Sequence, residues 1–233
     1  MALIMKTVLL QSNYIPWKGY FDLIESADIF IFHDDLTYTK GDWRNRNQIQ
    51  TINGKKWLTI PCGSDQKRLI NEVRVDKVIW QEKHFNLIKS NYKSAPFWDY
   101  CLPLLNYIYF ENNWTYLSEL NQKTIKKIAT EFLFINTIFE NSERFNLKSK
   151  KQDRVLELLI SVNATEYISG PSGKDYLDEK MFDDNHIKLT YFSYENYPKY
   201  QQINNSFDHL VSVIDLLMCT GPAAREYLLT LSR

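Results

Sequence analysis

Two short apolar runs near the start of the chain, Val8-Leu9-Leu10 and Ile29-Phe30-Ile31-Phe32, constrain the fold more than any other feature. Each is too short for a helix, and each breaks off into polar residues, Gln11-Ser12-Asn13 after the first and His33-Asp34-Asp35 after the second. Between them Pro16-Trp17 punctuates the chain, and Tyr20, Leu23 and Ile24 recur at helical spacing. Strand, helix, strand within so short a stretch is a βαβ unit, whose strands lie parallel and whose sheet faces are covered by helices. In an open parallel sheet the polar strand ends gather along one edge, where ligands bind. The functional site is therefore expected at Gln11–Asn13 and His33–Asp35, joined by the basic, amide-rich stretch Lys40…Trp43-Arg44-Asn45-Arg46-Asn47.

The rest of the chain extends the same rhythm. Gln48–Ile52 and Lys56–Ile60 flank Asn53-Gly54, a pair favoured in tight type I′ turns, and predict an antiparallel hairpin at one edge of the sheet. Glu72–Val75 alternates as a short edge strand does. Residues 79–132 read as a helical insertion, with helices over Ile79–Tyr92, Phe97–Phe110 and Trp114–Phe132. Strands are then expected at Phe134–Phe139, Glu166–Ile168 and Ile187–Phe192, alternating with helices at Gln152–Val162 and Lys174–Met181. Helices over Ser206–Met218 and Pro222–Leu231 close the chain. The expected fold class is α/β: a Rossmann-like, mainly parallel sheet with the first strand central, an antiparallel hairpin and a helical insertion, all within one domain spanning residues 1–233.

Composition narrows the function. Lys and Arg number 28 and so do Asp and Glu, so no global field attracts a polyanion, and long nucleic acid is not an expected partner. A nucleotide-linked metabolite remains open, because a few local cations hold it. The three cysteines, Cys62, Cys101 and Cys219, form no pair at metal or redox spacing, which suits reduced thiols in a cytoplasmic protein. Met1–Met5 is too short for the apolar core of a signal peptide, and no run is long enough to span a bilayer. Aromatic residues make up 15% of the chain. They are either tyrosines of core and surface or rings that stack on sugars and bases.

Several constellations carry chemistry at the predicted edge. Asp34-Asp35 places two carboxylates side by side, which repel unless cations, a metal or hydroxyls offset them. The pair reads as a catalytic base, as a divalent-metal ligand without DxD spacing, or as a capping and turn device. Strand ends at Asn141-Ser142-Glu143 and Ser169-Gly170-Pro171-Ser172-Gly173 approach the same edge. The latter is a turn whose backbone N–H groups can hold a phosphate or an oxyanion, or simply turn the chain. Arg46 with Lys40 is expected to grip an anion, more firmly than Arg44 does, while Asn45 and Asn47 bond hydroxyls. Of the four histidines, His84 is the favoured base, expected to edge one cleft with Asp34 and Asp35; its structural alternative is a core-edge imidazole bonded to a carbonyl. Trp17-Lys18-Gly19-Tyr20 echoes the position of the HxGH motif of nucleotidylyltransferases but lacks both histidines.

The stretches Gln11-x-x-Tyr14-Ile15-Pro16-Trp17-x-Gly19-Tyr20-Phe21 and Asp34-Asp35-x-x-Tyr38-x-Lys40-x-x-Trp43-x-Asn45-Arg46-Asn47 resemble the WbqC-like family. The likeness continues at Trp57–Pro61, Trp80-x-x-x-His84, Ser169-Gly170, Tyr176-Leu177 and Asp215-Leu216-Leu217. That family is associated with bacterial surface-polysaccharide and O-antigen gene clusters, with glycyl-type aminoacyl transfer to amino sugars as one proposed role. The resemblance implies a cytoplasmic transferase that binds a nucleotide-linked sugar and an activated acyl or aminoacyl donor. The catalytic candidates are Asp34, Asp35 and His84. The substrate-binding candidates, drawn from the strand ends and from the matching motif, are Gln11, Asn13, Tyr14, Trp17, Lys40 and Trp43, continuing through Asn45, Arg46, Asn47, Ser142, Ser169 and Gly170. No cofactor is evident, although a divalent metal is compatible with the carboxylate pair. Two rival readings stand beside it: a metal-dependent glycosyl- or nucleotidyl-transferase, and a non-catalytic sugar-nucleotide-binding protein. The sequence does not specify an oligomeric state.

Overall fold

The protein was analysed as a computed structural model that describes residues 4–65, 67–76, 79–203 and 207–230. Met1–Leu3, at the segment tested for a signal peptide, and the expected helix ends at Ser206 and Leu231 lie outside the described residues. A five-stranded parallel sheet forms the centre, built from β1 (Lys6–Leu10), β2 (Ile29–Phe32), β5 (Ile138–Asn141), β6 (Glu166–Ser169) and β7 (Lys188–Tyr191). The strand order β5-β2-β1-β6-β7 puts β1 in the middle. Numbered within the sheet alone, this is the 3-2-1-4-5 order of a Rossmann-type sheet, whose topological switch point lies between β1 and β6. The hairpin β3 (Arg46–Thr51) and β4 (Gly54–Thr59) forms a separate antiparallel sheet, not bonded to an edge of the main one.

The central strands are apolar on both faces because both faces are covered. Val8, Phe30, Phe32 and Ile168 enter one large core, shared with α1 (Lys18–Glu25), α2 (Trp80–Tyr92), α3 (Trp98–Tyr109), α4 (Leu117–Lys127) and α7 (Val213–Thr220). Leu9, Ile31 and Tyr167 point to the other face, where α5 (Lys151–Ser161) and α6 (Glu179–Asp183) close a smaller core around Leu158, Leu159 and Phe182. The helices between residues 79 and 132 thus pack into the same apolar cluster as the sheet. No helix among the described residues is long and apolar enough to cross a membrane.

Five local expectations shift. The turn between β3 and β4 is not type I′, because Gly54 has positive φ (88°) and Asn53 does not, so a single left-handed residue serves. Glu72–Val75 is no strand: a 3₁₀ turn covers Ile70–Glu72, and only an isolated bridge joins Arg74 to Tyr116. Val73 and Val75 are buried, so the alternation marked a buried side without a neighbouring strand. The third strand of the chain's parallel set begins at Ile138 instead of Phe134, because Leu133 and Ile135 are drawn into the core and Phe134 turns left-handed. The expected helix at Lys174–Met181 divides into a 3₁₀ turn at Pro171–Asp175 and α6, and the C-terminal helix is a 3₁₀ segment at Gly221–Tyr227.

Buried charge is tied down by tyrosines. Asp215, fully buried on α7, accepts the hydroxyls of Tyr92 (2.7 Å) and Tyr200 (2.7 Å) and the amide of Gln202 (2.8 Å). Asp22 on α1 accepts Tyr197 and the backbone N–H of Leu229 (2.8 Å). Burial raises the pKa of both carboxyls, and these hydrogen bonds oppose it. Between them Lys18 lies 4.4 Å from the Tyr197 ring centroid, and burial pushes its pKa down to about 8 against the pull of Asp22 and Asp215. A hydrogen bond to a buried carboxylate is worth roughly 1.5–3 kcal/mol, so Tyr92→Phe is expected to lower the urea-unfolding free energy by about that amount. The exposed Tyr116→Phe is the control. Equal stabilities of the two variants would show that the Tyr92 hydroxyl does not support Asp215.

Candidate functional site

The carboxyl ends of β1, β2 and β5 meet around the two aspartates, which take different roles. Asp34 is buried; its Oδ1 accepts the Ser12 N–H (2.8 Å) and its Oδ2 the Gln122 amide of α4 (2.7 Å). Its carbonyl accepts the Asn71 N–H at 3.0 Å. Burial raises its pKa, opposed by the bonds from Gln122 and Ser12 and by the nearby Arg44 charge. Asp35 points instead toward α5, where it pairs with Arg154 and accepts the Ser142 hydroxyl. His33 Nε2 lies 3.7 Å from Asp35 and accepts the Arg154 Nε–H at 3.2 Å. Accepting there requires a bare Nε2, and burial, the larger influence, holds the His33 pKa down to about 4. Every oxygen of the carboxylate pair has a protein donor, and Asp35 faces a guanidinium. That donor set does not fit a divalent cation. Among the described residues no group of three or more His, Cys, Asp or Glu side chains forms a metal cluster.

Beside this network, at the switch point between β1 and β6, opens a cleft of about 570 Å³. Gln11 and His33 line it from the strand ends, Lys151 and Arg154 from the first turn of α5, and Tyr167 and Tyr176 from the far side. Cations, a helix start and phenols facing one hollow form a place for an anionic, ring-bearing ligand. A second hollow of about 340 Å³ lies beyond the β1 end, lined by Asn13, Trp17, Trp43, Asn47, Gln48 and Lys55 among others. Arg44 connects the two. One arm of its guanidinium donates to the Gln11 side chain and the other to Asn13 Oδ1 (2.9 Å), so it braces the residues that face the separate hollows.

The amide-rich motif mostly builds the site's wall. Asn47 donates to the carbonyls of Tyr14 (3.1 Å) and Ile15 (3.0 Å), and Ile15 adopts φ 33°. Asn45 donates to the Ile60 carbonyl (2.9 Å), tying the approach loop to the hairpin. These amide donors, expected to bond substrate hydroxyls, are spent on the backbone: Asn47 because the strained 14–15 turn carries carbonyls that need partners, Asn45 on the Ile60 carbonyl just past the hairpin. Arg46 stacks over Trp57 (4.2 Å to the ring centroid), and Lys40 is exposed; neither lines a hollow. The cations that line the larger hollow are instead Lys151 and Arg154, the latter paired with Asp35. The signal available for them was a basic first turn following a strand–loop at the ligand edge. The Trp17 ring folds so closely over Gly19 that a Cβ there would lie 2.2 Å from it, which gives the Trp-x-Gly spacing a packing reason.

Three other expected residues have settled surroundings. The Gly170 carbonyl accepts the Gly173 N–H (3.0 Å) and the Ser169 hydroxyl (3.2 Å), so the 169–173 turn closes on itself. Ser142 serves Asp35. His84 is buried among Tyr14, Trp80 and Tyr109, with Nδ1 2.9 Å from the Tyr14 hydroxyl and a further bond to the Thr59 carbonyl. It contacts neither aspartate and lines neither hollow.

Burial lowers the His84 pKa to about 4, from 6.5 for a free imidazole. Between those values the unfolded chain binds the proton and the folded one does not, so stability falls as pH drops from about 6.5 toward 4. The limiting slope is about 1.4 kcal/mol per pH unit for one such group. His84→Gln, which keeps a partner for Tyr14, is expected to flatten the stability-versus-pH curve in that window by up to one proton's slope. Superimposable curves for the two proteins would show that His84 is protonated in the fold.

The WbqC-like protein family matches the chain over residues 11–227, which include the braced loop, the second hollow and all of the first cleft's lining except Leu9 and Leu10. The uncharacterized protein Rv1507c of Mycobacterium tuberculosis (strain ATCC 25618 / H37Rv) is 40% identical over 225 residues, covering 96% of this chain and 97% of the relative. No solved structure matches the chain. On the extent of both similarities, the chain belongs to the WbqC-like protein family.

Proposed function

We propose that the protein is a transferase of surface-polysaccharide (O-antigen) biosynthesis, acting on the cytoplasmic side on a nucleotide-linked amino sugar. The reaction is N-acyl or aminoacyl (glycyl-type) transfer. Family membership supports the pathway, and the observation that carries the substrate class is the cleft at the β1–β6 switch point. There Lys151, Arg154 and the α5 start offer positive charge for a diphosphate, while Tyr167 and Tyr176 offer ring faces for a base.

In this reaction the sugar's ammonium loses a proton to a base. The free amine then attacks the acyl carbon of the activated donor, and the amide N–C bond forms as the donor's leaving group departs with the acyl bond's electron pair and takes up the second proton released by the nitrogen. Asp35 is the better-placed base because it is less buried than Asp34 and sits beside His33 and Arg154, which line the cleft, although Ser142 and Arg154 each hold one of its oxygens. Arg154 and Ser142 orient the Asp35 carboxylate, and His33 stays neutral beside it. Gln11, held by Arg44, closes the β1 side.

Calorimetric titration with UDP- and dTDP-linked amino sugars tests the binding step. Arg154→Leu is expected to weaken the interaction by roughly one to two decades, the worth of a charge-assisted bidentate contact. The exposed Arg144→Ala should leave it unchanged. If no nucleotide sugar binds the wild-type protein, the proposal fails. For the chemical step, Asp35→Asn is expected to lower turnover by roughly two to four decades. Product is followed by mass spectrometry with thioester, aminoacyl-tRNA and ATP-plus-amino-acid donors. Retained turnover in Asp35→Asn would remove it as the base.

A further inference from the structure

The hollow beyond the β1 end differs in kind from the anion cleft. Lys55 carries its one cationic group, and that ammonium is neutralised by Asp208 at 2.6 Å. What remains is two indoles, three side-chain amides (that of Asn47 turned to the backbone), Pro16 and Leu210. Trp17 is half-buried, wedged against Tyr194 (centroids 5.0 Å) and Tyr197 (5.7 Å). Trp43 is 45% exposed, and its ring is held by Trp57 at 5.5 Å, which in turn lies under the Arg46 guanidinium at 4.2 Å. The Arg46–Trp57–Trp43 stack thus presents an aromatic face that is already ordered before any ligand arrives. Asn13 uses its carbonyl oxygen on Arg44, and the side-chain amide of Gln48 has no hydrogen-bond partner among the described residues. Trp17 and Leu210 also line an adjoining hollow of about 500 Å³ with Tyr194, Tyr197 and His209, so the surface continues as a trough.

Flat apolar faces with neutral donors and acceptors at their edge suit a ring that is apolar on its faces and hydroxylated around its rim. A diphosphate gains less here than in the anion cleft: Lys55, bound to Asp208, is the hollow's one lining cation, whereas the cleft adds Lys151, which has no acidic partner among the described residues, to the Asp35-paired Arg154. We infer that the Trp17–Trp43 hollow is a second ligand site, taking an uncharged hexopyranose ring apart from the anion cleft, with Arg44 bracing the two sites through Gln11 and Asn13. The ring has two possible sources, the sugar end of the nucleotide-linked substrate or a separate glycan. The inference rests on the transferase reading only for calling that ring a substrate.

Its test measures binding to the intact protein with two separate probes, methyl N-acetylglucosaminide for the ring and UDP for the anion. Saturation-transfer NMR and tryptophan fluorescence report the first, and calorimetry the second. Trp43→Ala is expected to weaken the glycoside by roughly tenfold or more while leaving UDP unchanged. Arg154→Leu is expected to do the reverse. Thermal melting shows that both variants are folded, and Trp57→Ala serves as a second way to loosen the Trp43 ring if Trp43→Ala is not. Displacement of the glycoside by an intact nucleotide sugar would identify the ring as that ligand's own sugar, and simultaneous binding would identify a separate glycan; both outcomes support the site. Failure of the glycoside to bind the wild-type protein at tens of millimolar, or equal binding by Trp43→Ala, overturns it. If UDP still binds through Arg154 in that event, the nucleotide-sugar reading survives alone. If the glycoside binds at Trp43 and no nucleotide binds anywhere, the second site stands and that reading falls.

Discussion

The geometry of the ligand edge depends on one buried carboxylate. Asp34 receives the first amide beyond Gln11 on the β1 side, the Gln122 side chain of α4 and, through its carbonyl, the N–H of Asn71. It therefore joins the ends of two central strands to a helix and a loop that are remote in sequence. A buried charge is tolerated only when its hydrogen-bonding capacity is met, and removing one partner leaves the full desolvation cost. The residue's charge explains its cost, and its three attachments explain why the fold keeps it. Asp35 next to it turns the other way, to Arg154 of α5 and the Ser142 hydroxyl.

The same economy accounts for the aromatic content. Tyr92 and Tyr200 cap Asp215, Tyr197 caps Asp22, and Tyr14 joins His84 to Tyr109. A phenol supplies a large apolar face to the core and a single donor to a buried acceptor, so it settles carboxylates inside apolar layers. Most of these tyrosines are structural. The rings left with exposed surface at the candidate site are fewer: Trp43, with Trp57 behind it, and Tyr176 at the mouth of the anion cleft.

The parallel sheet was legible in the sequence because its central strands are covered on both faces and so read as unbroken apolar runs. Val8–Leu10 and Ile29–Phe32 pair in register, and β1 is central as expected. Elements at the margin were less legible. The apolar run from Phe134 contributes Leu133 and Ile135 to the core before pairing begins at Ile138, a register that only the β2 edge selects. The alternation at Glu72–Val75 looked like a strand, because one buried side gives the same pattern whether or not a neighbour bonds to it.

For the candidate site, the residues themselves pointed to the sheet edge that the two hollows flank: polar strand ends at Gln11–Asn13 and His33–Asp35, and the aromatic and amide motif that follows. They also determined the chemical types at that edge, since cations, carboxylates, amides and indoles are all present there. Only the tertiary structure decided which of them line a hollow. Asn47 turns inward because the 14–15 turn leaves carbonyls needing donors, Asn45 turns inward to the Ile60 carbonyl, and His84 is enclosed by Tyr14, Trp80 and Tyr109. Arg154, from a helix more than a hundred positions later (|i−j| 119 from Asp35), takes the place beside Asp35 that no local pattern announced. A side chain's function depends on which of its polar groups the fold leaves unspent, and that balance is struck between segments distant in sequence.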